Sequence, residues 1–228
     1  ATRSAPMPLV LAPIRDALAG RATSVTVVVA LGTHAAMDEA ALGAYLGYEP
    51  GRSEETYPGW RIVNHEWWLP ETFADLGTIS ADEVTAYSGG LLHDVPMRVL
   101  VNRLVVDTDI SLVVGPVLPH EVVGFSGGNK YFFPGLSGHD VIDLSHWVGA
   151  LITSAQIIGT LGITPVRAMI NAAADRVPSQ KLCVAFVTVS GTDQLHAVCV
   201  GTTEAACAAA APIAAESHIE YLTKPVPR

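Results

Sequence analysis

The sequence predicts an α/β fold in which layers of helices cover a mostly parallel sheet. Residues 24–31 form a run rich in valine and threonine, which is typical of a strand that is buried on both faces. A glycine-containing turn and a segment of good helix formers follow, so the order is strand, tight turn, helix. Because 50% of the 228 residues are hydrophobic and only 15% are charged, the chain can bury the core of one large domain.

The elements of the first part of the chain follow from local signals. They are an extended segment up to Pro8, a helix over 9–19, a strand over 24–31, a turn at 32–34, a helix over 37–46, a polar loop over 51–58 and a strand over 60–65. Gly20 ends the first helix, and Asp38 and Glu39 lie in the first turn of the second, where they suit the helix dipole.

The second part of the chain is predicted in the same way. Its elements are a looped or hairpin-like segment over 76–85, strands over 97–101 and 110–114, a helix over 137–151, a helix that starts at Thr164-Pro165, a hairpin of residues 182–189 and 195–200, and a helix over 203–217. Pro165 suits the first position of a helix, and Gly191 suits the turn of the hairpin. The last helix is rich in alanine, the best helix former.

Charge and cysteine content narrow the class of ligand. A net charge of -9, with only 13 Lys and Arg residues, argues against a nucleic-acid or anionic membrane partner and favours a small molecule. No apolar run approaches the length of a membrane span. The chain has an odd number of cysteines without CxxC spacing, namely Cys183, Cys199 and Cys207, so we expect neither a disulfide framework nor a zinc site. Free thiols also indicate a reducing compartment, so we expect a cytoplasmic location.

The ends of the chain predict the domain organisation. Residues 1–222 are expected to form one domain, and the proline-rich residues 223–228 resemble the start of an interdomain linker. The chain also begins without a methionine. We therefore expect a fragment of a longer protein, whose carboxy-terminal domain is absent.

Three histidines and one lysine carry most of the recognisable chemistry. His34 and His120 each follow a predicted strand, at the sheet edge where open α/β folds hold their ligands. Lys130 lies in a loop that begins Ser126-Gly127-Gly128, and backbone N–H groups in such a loop can bind an anion. His146 lies in a predicted helix. A pair of histidines can act as general acid and base, and a lysine can supply a charge or an amine nucleophile.

Other side chains are candidates for contact with a substrate. Arg3 can bind an anion with its forked donors. His65, Trp67 and Trp68 are expected to form an aromatic cluster that serves packing, with Trp67 or Trp68 as candidates for contact with the substrate. The sequence lacks GxxxxGK[ST], HExxH and GxGxxG, so nucleoside triphosphatases, zinc proteases and simple dinucleotide folds lose their usual support.

The order of these motifs resembles the nickel-dependent lactate racemase family. The matching residues are Leu31-Gly-Thr-His34, Pro119-His120, Gly124-Phe-Ser-Gly-Gly-Asn-Lys130, Pro134-Gly135 and His146. The match covers nearly the whole chain and implies the amino-terminal domain of a two-domain enzyme. It implies a racemase or epimerase of a 2-hydroxy acid, which would obtain its cofactor from cofactor-building enzymes.

The resemblance also implies a role for each residue. Lys130 would carry a nickel-pincer nucleotide, a pyridinium derivative joined to the amine through a thioamide, and His146 would complete the nickel coordination. His34 and His120 would be the catalytic acid and base for the two faces of the substrate, whose hydride passes reversibly to the pyridinium. Ser126, Gly127 and Gly128 would lie along the cofactor phosphate. Arg3 would meet a carboxylate or a cofactor anion.

One residue departs from the family pattern, and two other functions stay open. Asn129 stands where a basic residue is more usual before the lysine. The first alternative is a non-catalytic anion- or nucleotide-binding module that uses Lys130 as a plain charge. The second is metal-assisted hydrolysis on a triad of His34, His120 and His146.

Overall fold

The computed structural model describes residues 5–220. Within them the helices are α1 (Met7–Leu18), α2 (Glu39–Leu46), α3 (Ser53–Thr56), α4 (Ala81–Tyr87), α5 (Arg103–Val106), α6 (His139–Ile152), α7 (Ser154–Ile157), α8 (Pro165–Ala174) and α9 (Thr203–His218). The strands are β1 (Val25–Val29), β2 (Trp60–Asn64), β3 (Phe73–Ile79), β4 (Met97–Asn102), β5 (Ile110–Pro116), β6 (Pro119–His120), β7 (Gly124–Phe125), β8 (Gln180–Thr188) and β9 (Leu195–Thr202).

The strands form several small sheets of mixed direction. β1 pairs with β2, and β5 with β8, in parallel. β3–β4, β6–β7 and β8–β9 pair antiparallel. The predicted α/β class and the β8–β9 hairpin are confirmed, whereas parallel pairing describes only part of the strands.

The first sheet packs against the amino-terminal helices. Buried side chains of α1, α2 and β1 form a core with Phe186 of β8. Tyr57 is buried in this core, and its hydroxyl donates to the carbonyl oxygen of Leu46, which satisfies its polar atom in an apolar setting. This core fixes β1, and therefore the turn that follows β1.

The second and larger core lies between the β5–β8–β9 sheet and helices α6, α8 and α9. Its fully buried members include Phe133, Ile170 and Ala185. Phe133 belongs to the segment after Lys130, so burial of this ring anchors that segment in the core. Fully burying a phenylalanine contributes about 1.5–3 kcal/mol.

Three predictions from the sequence were wrong. The segment predicted as extended up to Pro8 already contains the start of α1 at Met7, because a proline is accepted in the first turn of a helix. The segment predicted as a loop or hairpin over 76–85 consists of the end of β3 and most of α4. α4 begins with a capping box, in which Ser80 and Glu83 each bond the other's backbone N–H. The polar loop over 51–58 contains the short helix α3.

Among the residues that the structure describes, none of the helices combines the length and the apolar character needed to cross a bilayer.

Candidate functional site

The lysine loop is the segment from Ser126 to Gly135, and it lies beyond the end of β5. The β6–β7 hairpin leads into it, and residues Gly128–Tyr131 form a turn of 3₁₀-helix. The backbone N–H of Gly135 donates to the carbonyl oxygen of Lys130 at 3.1 Å, which closes the loop. Lys130 is half-buried.

The His34 turn is bonded directly to this loop. The backbone N–H of Gly32 donates to the carbonyl oxygen of Gly135 at 2.8 Å, and the His34 N–H donates to the carbonyl oxygen of Leu31 at 3.0 Å. Gly32 has a φ of +58°, a conformation that glycine adopts at little cost. The fold therefore places the end of β1, and the exposed His34, against the lysine loop.

The two tryptophans lie beside His34. The indole N–H of Trp67 donates to the carbonyl oxygen of His34 at 3.0 Å. The rings of Trp67 and Trp68 meet edge to face with centroids 6.0 Å apart, and they are 37% and 44% exposed. An exposed aromatic pair next to a predicted catalytic histidine offers apolar surface to a ligand.

His120 ends β6 and is held in one orientation. Its Nδ1 accepts a hydrogen bond from the backbone N–H of Val122 at 3.1 Å, and its side chain is 12% exposed. Nδ1 therefore carries the lone pair, and the neutral ring carries its proton on Nε2. The carboxylate of Glu121 lies 3.7 Å from Nδ1.

His146 is an exposed residue of α6 with the opposite tautomer. Its Nδ1 lies 2.7 Å from the carbonyl oxygen of Ile142, one turn earlier, so Nδ1–H donates and Nε2 keeps a lone pair that can bind a metal. α6 packs closely on the His120 hairpin, because a Cβ added at Gly149 would lie 2.9 Å from Cγ1 of Val122.

A preformed hydrolytic metal centre is absent from the part of the chain that the structure describes. Within residues 5–220, no group of three or more His, Cys, Asp or Glu side chains is placed to hold a metal ion. His34, His120 and His146 therefore do not form the triad that metal-assisted hydrolysis requires.

The polar groups of Ser126 are engaged inside the fold. Its hydroxyl donates to the carbonyl oxygen of Pro116 and accepts from the N–H of Leu118, and its own N–H donates to the Leu118 carbonyl oxygen. The Cys207 thiol donates to the carbonyl oxygen of Ser126. These bonds brace the start of the loop, and contact between Ser126 and a cofactor phosphate stays a prediction.

The two glycines of the loop are in close contact with α9 and the chain after β5. A Cβ at Gly127 would lie 2.6 Å from Cγ2 of Val117, and one at Gly128 would lie 2.7 Å from the carbonyl oxygen of Thr203. The backbone of Gly128 lies near the Cys183 thiol, whose pKa burial raises to about 12. The glycines are therefore required for packing, and their phosphate role stays a prediction.

Arg167 supports the lysine loop from behind, a role that no local sequence motif indicates. The side chain is 7% exposed; Nη1 donates to the carbonyl oxygen of Gly127 at 3.0 Å and Nη2 donates to that of Phe125. Burial lowers the pKa of Arg167. Among the described residues no carboxylate lies within 4.0 Å of it, so two carbonyl dipoles stabilise the charge.

Asn129, the departure from the family pattern, joins the loop to two helices. Its amide nitrogen donates to Oδ1 of Asn171 at 3.1 Å and to Oε1 of Glu204 at 2.6 Å. Burial raises the pKa of Glu204, but the opposing contributions, of which the hydrogen bond from Asn129 is the largest, outweigh burial, so the net shift is downward. A neutral amide thus occupies the place of the expected cation.

His65 stabilises the fold rather than the exposed site. It is fully buried; Nε2–H donates to the carbonyl oxygen of Ser137, and Nδ1 accepts from the Asn102 amide at 3.1 Å. Burial lowers its pKa, partly offset by the bond to Ser137. His65 thereby ties the end of β2 to β4 and to the segment after the lysine loop.

Two cavities lie away from the histidines. One of about 350 Å³ lies between α2 and α3 and includes Tyr48 and Arg52. Another of about 260 Å³ lies behind the lysine loop. Neither is lined by His34, His120, Lys130 or His146. Arg3 lies outside the described residues, as do residues 221–228, which include the predicted linker.

The fold and site define an α/β domain in which the turn bearing His34 bonds the lysine loop, the hairpin bearing His120 leads into that loop, and the helix bearing His146 packs on the hairpin. The model of the lactate racemase N-terminal domain matches residues 1–159, which is more than half of the chain. The chain therefore belongs to the lactate racemase N-terminal domain family.

Individual relatives agree with this assignment. The lactate racemase of Thermoanaerobacterium thermosaccharolyticum is 27% identical over 193 residues, which are 84% of this chain and 39% of that protein. A crystal structure of a Thermotoga maritima protein superposes with a TM-score of 0.83 at 27% identity, covering 98% of this chain and 54% of the other. The lactate racemase apoprotein of T. thermosaccharolyticum has the same fold, with a TM-score of 0.77, 21% identity and coverage of 95% and 47%. The chain thus spans about half the length of these relatives.

Proposed function

We propose that this chain is the amino-terminal half of a racemase or epimerase that acts on a 2-hydroxy acid with a nickel-pincer nucleotide on Lys130. One observation carries the proposal. The Gly32 N–H bond to the Gly135 carbonyl oxygen joins the His34 turn to the lysine loop, which the His120 hairpin enters from its other end. These contacts bring two separate histidine-bearing segments to the loop that carries Lys130, which supports the proposal.

The residues present fit such a cofactor. Lys130 sits on a closed loop backed by buried contacts, which suits a tether. His146 keeps its Nε2 lone pair, and imidazole with soft sulfur donors suits Ni(II). When bound, the group would supply a hydride acceptor. Lys130 and His146 are therefore the residues that would hold it, with Ser126, Gly127 and Gly128 beside its phosphate.

The two histidines would handle the hydroxyl proton. His120 accepts from the Val122 N–H at Nδ1, so its Nε2–H would act as a donor toward the substrate oxygen, and its use as a base would require Nδ1 to leave that bond. Among residues 5–220, His34 is bonded through its backbone, by the Trp67 indole N–H to its carbonyl oxygen, so these bonds do not fix the orientation of its ring. With one histidine for each face of the substrate, either stereoisomer could be converted into the other.

Further residues complete the proposal. Trp67 and Trp68 would cover the apolar part of the substrate, and Arg3 would bind its carboxylate or a cofactor anion. The enzyme would be cytoplasmic, would receive its cofactor from cofactor-building enzymes, and would need a carboxy-terminal domain to exclude water from the site.

Mass spectrometry and metal analysis test the tether. The chain would be produced together with cofactor-building enzymes, and we expect a mass increase located on Lys130 with stoichiometric nickel. Lys130→Arg keeps the charge but cannot form the thioamide, so it should show neither the adduct nor the nickel. An unmodified Lys130 under these conditions contradicts the proposal.

Chiral chromatography tests the two histidines. Addition of a carboxy-terminal domain would give the enzyme its full length, and His34→Ala and His120→Ala should each abolish racemisation of 2-hydroxy acids while the adduct on Lys130 is kept. If both variants retained the racemisation rate of the parent enzyme, a non-catalytic anion-binding module would be the better explanation.

A further inference from the structure

The cavity behind the lysine loop has the features of a separate binding site. It measures about 260 Å³ and lies between the segment before α8 and the start of α9. Its walls include Phe125 and Asn129 of the β7 and lysine-loop region. Lys130 and the three candidate histidines are not among its lining residues.

Two opposite charges line this cavity without touching each other. The Arg167 guanidinium is 7% exposed and uses two of its N–H groups on backbone carbonyls, so further donors remain. The Glu204 carboxylate lies nearer to solvent and uses Oε1 to accept from Asn129. The described part of the chain has no ion pair between Arg167 and any carboxylate. A buried cation without an anionic partner is unfavourable, so an anion in the cavity would be stabilised.

An unsatisfied acceptor points to a donor on the same ligand. Asn129 is 2% exposed, its amide nitrogen is fully used, and its Oδ1 is a buried oxygen without a hydrogen-bond partner in the structure. Buried amide oxygens normally accept a hydrogen bond. Together with Glu204, this oxygen favours a cationic donor.

The remaining walls are apolar and limit the size of the ligand. Val123, Ile163 and Pro212 line the cavity, and Ile163 is 68% exposed at its edge. At roughly 30 Å³ for each water-sized group, the cavity holds about eight or nine heavy atoms. A short branched aliphatic side chain fits beside the two charges.

We propose that this cavity binds a small zwitterion, a 2-amino acid with a short apolar side chain. Its carboxylate meets Arg167, its ammonium group meets Glu204 and Oδ1 of Asn129, and its side chain packs on Val123 and Pro212. Because Asn129 immediately precedes Lys130, binding restrains the backbone that carries the lysine. The proposal does not depend on the racemase function.

Three probes of similar shape test the charge requirement on the 228-residue chain by isothermal titration calorimetry and NMR. They are L-valine, the 2-hydroxy acid with the same side chain, and isobutylamine, which lacks the carboxylate. We expect saturable binding of L-valine, with the other two weaker by roughly tenfold or more, because each loses one charge-assisted contact. Equal affinity for L-valine and the hydroxy acid would overturn the proposal, as would no saturation by L-valine up to tens of millimolar.

A matched pair of substitutions on α9 tests the location. Ala208 lines the cavity, whereas its exposed neighbour Ala209 does not. Ala208→Phe should abolish L-valine binding, and Ala209→Phe should leave it within about twofold. Binding that survives Ala208→Phe, in a protein with an unchanged circular dichroism spectrum, places the ligand elsewhere and refutes the site.

An isosteric substitution tests the ammonium contact. Glu204→Gln keeps an oxygen that accepts from Asn129 but removes the charge. It should weaken L-valine roughly tenfold or more and leave the hydroxy acid unchanged. An equal loss for both probes would show that Glu204 acts on the cavity walls rather than on the ammonium group, and would refute the zwitterion.

Discussion

Replacing Gly128 with alanine should destabilise the protein by more than the cost of placing an alanine in the left-handed backbone conformation. Gly128 has a φ of +58°, and an L-residue in this region costs about 1–2 kcal/mol. The added Cβ would lie 2.7 Å from the carbonyl oxygen of Thr203 and 3.1 Å from Cβ of Cys207. Both atoms belong to the first turns of α9, so the contact can relax only if the helix or the loop shifts.

The expected loss follows from these two terms. Overpacking of a well-packed site costs about 1–3 kcal/mol, so the free energy of unfolding should fall by about 2–5 kcal/mol in Gly128→Ala. Urea denaturation followed by circular dichroism measures this value. Because Lys130 lies two residues further on, the same variant should also carry less cofactor adduct.

Gly191→Ala is the matched control. Gly191 has a φ of +74°, and an added Cβ there would meet nothing within 4 Å. It should lose only the conformational term of about 1–2 kcal/mol. If Gly128→Ala and Gly191→Ala lost the same free energy, the loop would not be held against α9 as we describe.

Three further predictions concern buried groups around the loop. Because the pKa of His65 is lowered in the folded protein, the unfolded chain binds a proton at this residue more readily. The stability that neutral His65 contributes is therefore complete above about pH 6.5 and is lost as the pH falls from there towards the folded-state pKa. In urea titrations, the free energy of unfolding should change with pH by at most about 1.4 kcal/mol per pH unit on account of His65, and His65→Gln should remove this contribution. The Cys183 thiol, with its pKa raised to about 12, should resist iodoacetamide at pH 8 in the folded protein and react after unfolding, as peptide mapping would show. Arg167→Lys should lower the free energy of unfolding by about 1–3 kcal/mol, because one ammonium group cannot reproduce the two bonds to Phe125 and Gly127.

Each of these has a result that contradicts it. A pH profile of stability identical in His65→Gln and the parent chain would mean that the pKa of His65 is the same in the folded and unfolded states. Fast labelling of Cys183 without unfolding would mean that the backbone around Gly128 opens readily. An Arg167→Lys variant as stable as the parent would remove the reason to regard the arginine as a support of the loop.

The elements with strong local signals were predictable. β1 has a run of β-branched residues, the β8–β9 hairpin has a glycine in its turn, and α8 begins at a proline. Each of these elements forms where its own sequence predicts it. β3 lacks such a signal because Gly77 interrupts it, and its pairing with β4 supplies the missing stabilisation. The capping box of α4, Ser80 with Glu83 three residues later, is a local signal that favours a helix start at this position.

The candidate site divides in the same way. His34, His120, Lys130 and His146 could be named because each stands in a short motif whose order resembles a known family. Their roles stay predictions, but the bond between Gly32 and Gly135 shows how two of the motifs are joined across about a hundred residues of chain. Nothing local to either motif indicates that bond.

The support behind the loop was beyond sequence reasoning for a physical reason. Asn129 bonds Asn171 and Glu204, which are 42 and 75 residues away, and Arg167 reaches carbonyls 40 and 42 residues away. Arg and Glu on helices usually face water, and whether they do depends on how the helices pack. The residue types and their order therefore indicate the fold class and the protein family. Burial and long-range packing, by contrast, decide the histidine tautomers, the support of the loop that carries Lys130 and the presence of charged side chains in the cavity behind it.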